Sequence, residues 1–398
     1  MISVANLKLT RKVELPDTLR VARAKSLPNM GPRLLFFSGG SALNDVSRAL
    51  KHYTHNSMHL ITPFDSGGSS QVLREAFDMP AVGDLRSRLM ALADETVMGQ
   101  PDIYRLFTYR FAKDAGPEVL QEEFTTLLTG RHPLMRAISQ PMRSLILTQL
   151  KQFESRRPPE FSFAGASIGN LILAGGYLAN ERALEPVLFL MSKMVAVQGT
   201  VRSIIDRNLD LGVVLNDGTT IIGQRNITGK EVAPIHDRIS ELFLVEDGKR
   251  VERDVVKLPK RNRKLIKEAD LICYSPGSLY TSVLANLLPL DTGLSIARRH
   301  VPKVYIPSLG ADPECPGMTL LDQVDALIAT LRADAGGNCP TDALLSVVLC
   351  DGAAFDPRIA NRIQEKHNVA CVAVPLARRD RADRYDPDLV SAALISMV

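Results

Sequence analysis

The chain has 398 residues, of which 48 are basic and 44 acidic, so its formal net charge is only +4. This balance excludes an acidic tail protein and a strongly basic nucleic-acid coat protein. With 45% hydrophobic and 23% charged residues, the composition is that of a folded globular protein. The length suggests about two or three domains, or one large α/β unit with insertions.

The N-terminal part of the sequence predicts the start of a parallel sheet. Residues 1–32 are mixed in character, so we expect a lead-in before one α/β domain at 33–398. The elements expected next are a strand at 33–37, a loop at Ser38–Ser41, a helix at 42–51, a strand at 58–62 and a loop at Asp65–Ser70. Apolar strands separated by small-residue loops and an amphipathic helix are typical of a βαβ unit.

The middle of the chain interrupts this alternation. We expect a helical insertion at about 95–200 and then a β-rich segment at about 200–258, with a hairpin over 211–222. The alternation then returns, with strands expected at 271–274, 301–306, 344–349 and 370–374 and a helix at 279–288. The predicted fold class is α/β: a mostly parallel sheet with flanking helices, built from both ends of the chain, plus a mainly helical and β-hairpin insertion.

Two stretches of 20 residues carry no charge, Phe161–Asn180 and Leu271–Leu290. This is the length that a membrane-spanning helix needs, but their glycines, prolines and amides favour buried elements around a polar loop, so no membrane span is expected. The first 16 residues contain no apolar segment of signal-peptide length, and the five cysteines form no CxxC pair. Reduced thiols in a cytoplasmic protein are therefore expected.

Three loops of small residues follow predicted strands: Ser38–Ser41, Asp65–Ser70 and Ser275–Ser278. At the carboxyl ends of parallel strands, such loops let backbone N–H groups approach phosphate oxygens, and the helix after each loop adds the positive end of its dipole. Each loop alone could be a simple tight turn, but three in one chain favour a phosphorylated ligand. Neither the GxGxxG fingerprint nor a P-loop is present.

Asp65 and Arg86 are two charged residues that could contact a phosphorylated ligand. Asp65 could hold Mg²⁺ beside phosphates, or it could form an Asx turn or cap a helix. Arg86 follows Asp84, the expected N-cap of its helix. The guanidinium could clamp an anion, or it could lie on a solvated helix face.

Two other patterns favour a structural interpretation. His52, His55 and His59 have a spacing that metal sites use, but a surface loop is the preferred interpretation. The basic run Lys257–Lys267 could contact nucleic acid, and this role is kept as a third hypothesis. A solvated face of an amphipathic helix agrees better with the small net charge, so nucleic acid is not the expected partner.

In their order and spacing, the loops resemble the CofD-like family over roughly residues 33–350. The motifs that carry the resemblance are Phe36–Leu43, Thr62–Ser70, Gly83–Arg86, Gly165–Leu171 and Ser275–Ser282, the last being the most specific. The family includes the 2-phospho-L-lactate transferases of deazaflavin coenzyme synthesis and the bacterial YvcK-type gluconeogenesis factors, which bind UDP-sugars. The bacterial branch is the closer match, and the sequence looks like its divergent GAK-system subgroup.

The resemblance implies a Rossmann-like core, a homodimer and a nucleotide-linked ligand of the GDP or UDP type. Together with Arg86, the residues expected to contact the nucleotide and its phosphates are Gly39, Gly40, Ser41, Gly67, Gly68, Ser69, Ser70, Gly169, Asn170, Ser275, Pro276, Gly277 and Ser278. The resemblance also places Asp65 beside the diphosphate, as the catalytic residue and as a ligand of Mg²⁺.

Several family positions differ in this chain. Ser38 and Ala42 replace glycines of the first loop, Ser66 stands where the bacterial branch has a second aspartate, and Ala166 replaces a histidine. The segment Pro307–Thr319 lacks the family's usual motif. The binding loops are thus kept, whereas groups for catalysis or sugar recognition are altered.

The first hypothesis is a transferase that moves a phospho-group from a nucleotide-linked donor to an acceptor hydroxyl with Mg²⁺. Such a reaction needs positioning and charge neutralisation rather than a covalent enzyme intermediate. The alternative is a non-catalytic regulator that binds a UDP-sugar and acts through a protein partner.

Overall fold

The computed structural model of the chain describes residues 12–96, 98–229 and 232–398. The strands are β1 Leu34–Ser38, β2 Met58–Ile61, β3 Thr200–Ser203, β4 Asp210–Leu215, β5 Thr220–Ile222, β6 Ile239–Glu246, β7 Lys249–Val251, β8 Leu271–Tyr274, β9 Lys303–Tyr305, β10 Val347–Asp351 and β11 Ala370–Val374. The helices are α1 Thr18–Ser26, α2 Asn44–Leu50, α3 Gly68–Phe77, α4 Gly83–Leu92, α5 Pro101–Thr108, α6 Pro117–Leu128, α7 Pro133–Ala137, α8 Met142–Glu154, α9 Ile168–Ala179, α10 Leu184–Met194, α11 Gln224–Thr228, α12 Lys260–Glu268, α13 Thr292–Ala297, α14 Leu320–Ala335, α15 Pro357–His367 and α16 Pro387–Ser396.

The main sheet has seven parallel strands in the order β11-β10-β9-β8-β1-β2-β3. The inner strand β1 is buried on both faces: Leu35 and Phe37 join one hydrophobic cluster, whereas Leu34 and Phe36 join another. A continuous apolar run is what a parallel strand covered by helices on both sides requires. The predicted α/β fold is confirmed, and β1–β3 and β8–β11 form the two halves of the sheet.

β3 lies at the start of the segment expected to be β-rich, but it belongs to the main sheet and not to the separate sheet that the rest of this segment forms. It pairs in parallel with β2, so the whole helical block α3–α10 is the connection between two neighbouring strands. The predicted hairpin is present as β4 and β5, and β6 and β7 complete a separate antiparallel sheet in the order β5-β4-β6-β7. The helical block therefore lies between strands of the main sheet and has its own hydrophobic cluster, whereas the antiparallel sheet shares a cluster with the main sheet.

Aromatic rings fill the core of the helical block. Phe124 and Phe163 have ring centroids 4.5 Å apart, and Phe153 packs edge-on against Phe161 at 5.3 Å. Beside them α9 is buried along most of its length, as expected for the first charge-free stretch. Among the described residues, no helix combines the length and the apolarity that crossing a membrane requires.

The described part of the N-terminal lead-in packs onto the C-terminal helix. α1 lies against α16, and the Asp17 N–H donates a hydrogen bond to Ser396 Oγ at 2.8 Å. Ala24 of α1 is buried in the same hydrophobic cluster as Leu34 and Phe36 of β1. The two ends of the chain thus cover one face of the main sheet together.

The basic helix α12 is held to the protein by ion pairs. Arg261 lies 2.6 Å from Glu185 and also contacts Asp206, and Arg263 lies 3.1 Å from Asp291. The expected solvated face of this helix is therefore only partly present, because two of its arginines form ion pairs with other parts of the protein.

Candidate functional site

The three predicted loops lie together at the carboxyl ends of the strands of the main sheet. They follow β1, β2 and β8, which are adjacent strands. From β1 the chain continues towards β3 on one side, and from β8 it continues towards β11 on the other. An open parallel sheet has a crevice at the carboxyl ends of its strands where the direction of connection reverses in this way.

The first loop presents an open backbone at Gly40. Its φ is +47°, which favours glycine, and a Cβ atom there would meet nothing within 4 Å. The Gly40 N–H donates to Asp84 Oδ2 at 2.6 Å. Asp84 is therefore not the N-cap of α4, as was expected, because Val82 holds that position. Gly39 is needed for packing, since a Cβ would lie 2.5 Å from Thr62 Oγ1.

Arg88, which sequence reasoning missed, supports this loop from below. The side chain is fully buried, and its guanidinium donates to Asn44 Oδ1, Ser38 Oγ and Gly40 O. It also contacts His59 Nδ1 at 3.0 Å. Burial lowers the pKa of Arg88 to about 10. His59 lies in β2 and not in a surface loop, and burial, followed by the charge of Arg88, holds its pKa well below the usual value.

The second loop contains the Asx turn that was one interpretation of Asp65. Asp65 Oδ1 accepts a hydrogen bond from the Gly67 N–H at 3.1 Å. Gly68 has a φ of +49° with open space at its Cβ position, so its backbone is accessible. Ser66, at the position of the family's second aspartate, accepts a hydrogen bond from the Arg225 N–H at the start of α11. Ser66 thus connects this loop to α11, the helix that follows β5.

Helix α4 joins the first two loops. Gly83 packs against the second loop, because a Cβ there would lie 2.4 Å from Ser70 Oγ and 3.3 Å from Asp65 Oδ2. The next residue, Asp84, holds Gly40 of the first loop. One turn of helix therefore sets the spacing between the two candidate phosphate loops.

Arg86 belongs to a buried hydrogen-bond chain and does not lie on a solvated face. Its Nε donates to Asn170 Oδ1 at 2.9 Å, and Asn170 Nδ2 donates to Ser69 Oγ at 3.2 Å. Burial, and then the nearby charge of Arg110, lower the pKa of Arg86 to about 10. Arg86 and Asn170 thus hold Ser69 in place within the second loop.

Gly169 serves the close approach of helices. A Cβ at this position would lie 2.5 Å from Phe107 O and 2.7 Å from Arg86 Cδ. The Gly169-Asn170 pair therefore supports the second loop from behind, through packing and through the hydrogen bond to Ser69.

The third loop follows β8 and turns at Gly277. The φ of Gly277 is +142°, and its N–H donates to Ser308 Oγ at 3.1 Å. Ser275 is buried, whereas Gly277 and Ser278 are partly exposed. Only the second half of the loop thus faces solvent.

The N–H groups after the third loop are already occupied by carboxylates. Those of Leu279, Tyr280 and Thr281 donate to Asp312 Oδ2 or Glu314 Oε2 at 2.8–2.9 Å. Glu314 is fully buried, and burial, followed by the charge of Asp312, raises its pKa to about 7. The helix end expected to face phosphates here is therefore capped by the chain itself.

The predicted helix at 279–288 is also different in form. It is a π turn at Leu279–Val283 followed by a 3₁₀ segment at Leu284–Leu287. The Val283 N–H reaches back to Ser278 O, and Asn286 Nδ2 donates to Ser38 O. The first bond is the local bond of the π turn, and the second is a tertiary contact that apolar periodicity does not reveal.

A cleft of about 800 Å³ opens between the first and third loops. Ser41, Pro276, Gly277 and Ser278 line it, together with the connection at Ser308–Pro313. We call this space the main cleft. It brings together two of the three predicted loops, whereas Asp65, Gly67–Ser70, Arg86 and Asn170 form a neighbouring cluster outside its lining.

The far wall of the main cleft is a turn that we call the arginine hairpin, Ala377–Tyr385. Its ends form an antiparallel bridge, and the Tyr385 hydroxyl donates to Pro307 O at 2.6 Å. Arg378, Arg381 and Arg384 line the cleft, as does Arg48 of α2. Sequence reasoning missed these residues, although the dense run of arginines and aspartates at 378–384 was a visible signal.

The charged side chains do not form a metal-binding cluster of the usual kind. Within the described parts of the chain, no group of three or more His, Cys, Asp or Glu side chains is arranged to hold a metal ion. Asp65 stands next to the open backbone of Gly68 as a single carboxylate. Mg²⁺ is often held by only one or two carboxylates when phosphates supply the other ligands, so the site fits that use.

Comparisons with known proteins point to one family. The family profile described as "2-phospho-L-lactate transferase CofD" matches residues 34–384. A gluconeogenesis factor of Bacillus subtilis is 30% identical over 297 residues, which cover 74% of this chain and 74% of that protein. A gluconeogenesis factor of Listeria monocytogenes is 27% identical over 280 residues, which cover 70% of this chain and 67% of that protein.

A Clostridium acetobutylicum protein whose name also contains the words gluconeogenesis factor is 28% identical over 306 residues, which cover 76% of this chain. The match spans only 54% of that protein, so the chain corresponds to about half the length of this relative.

The fold also occurs in solved structures. A crystal structure of a UPF0052 family member from Bacillus halodurans aligns with a TM-score of 0.65 and 23% identity, covering 92% of this chain and 99% of that chain. A second crystal structure of a Bacillus halodurans protein gives a TM-score of 0.63 at 21% identity. At these identities the similarity concerns the fold alone.

Proposed function

Because the chain belongs to the CofD family, we propose that it binds a nucleoside-diphosphate-linked small molecule of the GDP or UDP type in the main cleft and transfers a phospho-group from it to an acceptor hydroxyl. The position of the cleft carries this proposal, since it opens between β1 and β8 where the direction of connection reverses. Its volume of about 800 Å³ lies within the roughly 300–1,000 Å³ of small-molecule sites.

The chemistry of the cleft suits an anionic ligand. Ser41, which follows the turn at Gly40, and Gly277 lie in one wall, and the arginine hairpin forms the other. Within the hairpin, Arg378 pairs with Asp380 at 3.1 Å and Arg381 pairs with Asp383 at 3.2 Å. Exposed pairs of this kind contribute little free energy, so the guanidinium groups can turn to a phosphate at small cost.

Calorimetry with a matched pair of variants tests the binding proposal. Gly40→Asn introduces a neutral side chain that tolerates the left-handed backbone conformation at this position. Gly40→Asp introduces a side chain of the same shape with a negative charge. We expect Gly40→Asn to bind GDP or UDP. We expect Gly40→Asp to bind the same nucleotides at least about tenfold more weakly, because its carboxylate repels the negatively charged phosphates. Equal affinities for the two variants, or no affinity in the wild-type protein with or without Mg²⁺, would contradict the proposal.

The transferase step is supported by the position of Asp65 beside Gly68, where one carboxylate and the ligand's phosphates could share Mg²⁺. Asp65→Asn should lower the Mg²⁺-dependent turnover of a nucleotide-linked donor and weaken Mg²⁺-dependent binding. Asp102→Asn, at a partly exposed position in the first turn of α5, is the matched control and should change neither. Unchanged turnover in Asp65→Asn would remove Asp65 from the reaction.

A second candidate function is a ligand-sensing regulator without turnover. The observation that favours it is the separation of Asp65 from the lining of the main cleft. Binding of UDP-sugars with no Mg²⁺-dependent conversion of a nucleotide-linked donor, measured by phosphorus NMR, would favour the regulator. Conversion of the donor would favour the transferase.

A further inference from the structure

Two cysteines lie side by side at one edge of the main sheet. Cys350 is on β10 and Cys371 is on β11, the edge strand. In the parallel register Cys371 pairs with Val348, two residues before Cys350. Side chains two residues apart on a strand share a face, so both thiols project from the same side of the sheet. Cys350 is 3% exposed, whereas Cys371 is partly exposed.

The two thiols influence each other's ionisation: the neighbouring thiol, followed by burial, raises the pKa of Cys350, and the neighbouring thiol lowers the pKa of Cys371. Cys371 is also the partly exposed cysteine of the pair, which solvent can reach. A neighbouring thiol placed to react with an oxidised cysteine is the arrangement found in redox-responsive pairs.

The residue after Cys350 holds the base of the arginine hairpin. Asp351 Oδ1 accepts hydrogen bonds from the Leu376 and Ala377 N–H groups, each at 2.7 Å. β11 ends at Val374, so only a few residues separate Cys371 from the hairpin. The hairpin, which is one wall of the main cleft, is thus attached to both β10 and β11.

We propose that Cys350 and Cys371 form a reversible disulfide that adjusts the arginine hairpin and so regulates ligand binding in the main cleft. The effect on ligand binding rests on the proposed function; disulfide formation and its effect on the hairpin do not. The oxidant is a peroxide. The Cys371 thiolate attacks a peroxide oxygen, the O–O bond breaks, and hydroxide leaves, so that Cys371 becomes a sulfenic acid.

The second step closes the disulfide. The Cys350 thiol loses its proton and its sulfur attacks the sulfenic sulfur of Cys371; the S–S bond forms and the hydroxyl leaves as water. The peroxide gains two electrons and the thiol pair loses two. A dithiol reductant reverses the change by thiol–disulfide exchange.

The geometry explains why closure would move the hairpin. Cα atoms at diagonal positions of neighbouring strands are about 7–8 Å apart. A disulfide requires roughly 4.4–6.8 Å between Cα atoms. Among the described strands β11 pairs with β10 alone, so it can shift along its neighbour more easily than an inner strand can. The shift would carry the hairpin with it.

Peptide mapping tests the disulfide. The test uses a variant with the substitutions Cys315→Ser and Cys339→Ser, which remove one thiol near the cleft and one that is partly exposed. After treatment with hydrogen peroxide and blocking of free thiols, trypsin places Cys350 and Cys371 in different peptides because it cuts at Arg358, Arg362 and Lys366. We expect a linked peptide pair that a dithiol separates. Oxidation without this linked pair would overturn the proposal.

Limited proteolysis tests the coupling without any ligand. Trypsin also cuts within the arginine hairpin, and we expect oxidation to change the rate of that cut by about threefold or more. Cys371→Ser, which cannot form the bridge, should show no change. An unaltered rate in fully bridged protein would overturn the coupling.

Ligand binding completes the test. If the cleft binds a nucleoside diphosphate, we expect oxidation to change the affinity for GDP or UDP by about threefold or more, and reduction to restore it. An affinity that stays the same in bridged protein would contradict regulation of the cleft. Failure to bind any nucleotide in either redox state would instead contradict the proposed function, while the proteolysis result would still decide the coupling to the hairpin.

Discussion

Arg88 carries its charged group into the interior, where four acceptors surround the guanidinium. We expect Arg88→Ala to lower the free energy of unfolding by roughly 3 kcal/mol or more, because it leaves buried polar groups without a partner. Urea denaturation measures this. Arg105→Ala, in an exposed pair with Asp102, is the control and should change stability by only about 0.5 kcal/mol. Equal losses in both variants would contradict the buried role.

The sequence predicted glycines well at this scale and arginines poorly. Gly40, Gly68 and Gly277 were identified as loop residues because small residues after apolar strands have a local meaning, and each has a positive φ. Arg88 was not, because its acceptors come from β1, the first loop, α2 and β2, which only the tertiary fold brings together. A single sequence shows no such relation.

Among the elements, the connection after β9 has an unexpected role, because it supplies the carboxylates that cap the chain following the third loop. Glu314 has no access to solvent, and its neighbours are Asp312 and Cys315 on its own segment and Tyr280 and Thr281 on the capped turn. This contact anchors the segment Ser308–Pro313, which lines the main cleft. The ionisation of Glu314 is therefore linked to the shape of the cleft.

The raised pKa of Glu314 predicts how stability depends on pH. The carboxyl has its ordinary pKa when the chain is unfolded and a pKa of about 7 when it is folded. The folded protein thus binds the proton more tightly between pH 4.5 and about 7. The contribution of this group to stability is therefore fully present at low pH and is lost as the pH rises through about 7.

Glu314→Gln should remove this dependence. We expect the wild-type protein to lose a few kcal/mol more stability than Glu314→Gln between about pH 5 and pH 8. Denaturation curves of both proteins at the two pH values give the difference, and acids elsewhere in the chain cancel in it. Parallel pH dependences would show that Glu314 keeps an ordinary pKa.

Element prediction succeeded where burial alone decides the conformation. Apart from β3, the strands of the main sheet lie in apolar runs, and their positions were predicted to within a few residues. The prediction of a helix at 279–288 was wrong, because hydrogen bonds that this segment donates to Asp312, Glu314 and Ser38 override its local pattern. The third loop therefore presents less free backbone to a phosphate than its sequence suggested.

At the scale of the whole molecule, the site depends on the two halves of the sheet meeting. β1 and β2 supply the first two loops, while β8 and the arginine hairpin come from the C-terminal half. The alternation of strands and helices predicted a sheet built from both ends of the chain, with these loops at the carboxyl ends of its strands. The closing wall at 377–385 was not predicted, because its position follows from the length and direction of the last connections.

The packing of the two chain ends gives a last prediction. α1 lies against α16, and Ala24 is buried among residues of β1 and α16, whereas Ala22 on the same helix is exposed. Ala24→Glu would bury a carboxylate in an apolar cluster, so we expect a loss of roughly 2–4 kcal/mol in the free energy of unfolding.

Ala22→Glu adds the same charge to the same helix at its solvent side and should change stability by only about 0.5 kcal/mol. Urea denaturation of the two variants isolates burial from charge and from helix propensity, because both substitutions are identical in chemistry. If α1 were an independent lead-in that merely precedes the domain, both variants would unfold at the wild-type urea concentration. A selective loss in Ala24→Glu would show that the N-terminal helix is part of the cooperative unit that carries the main cleft.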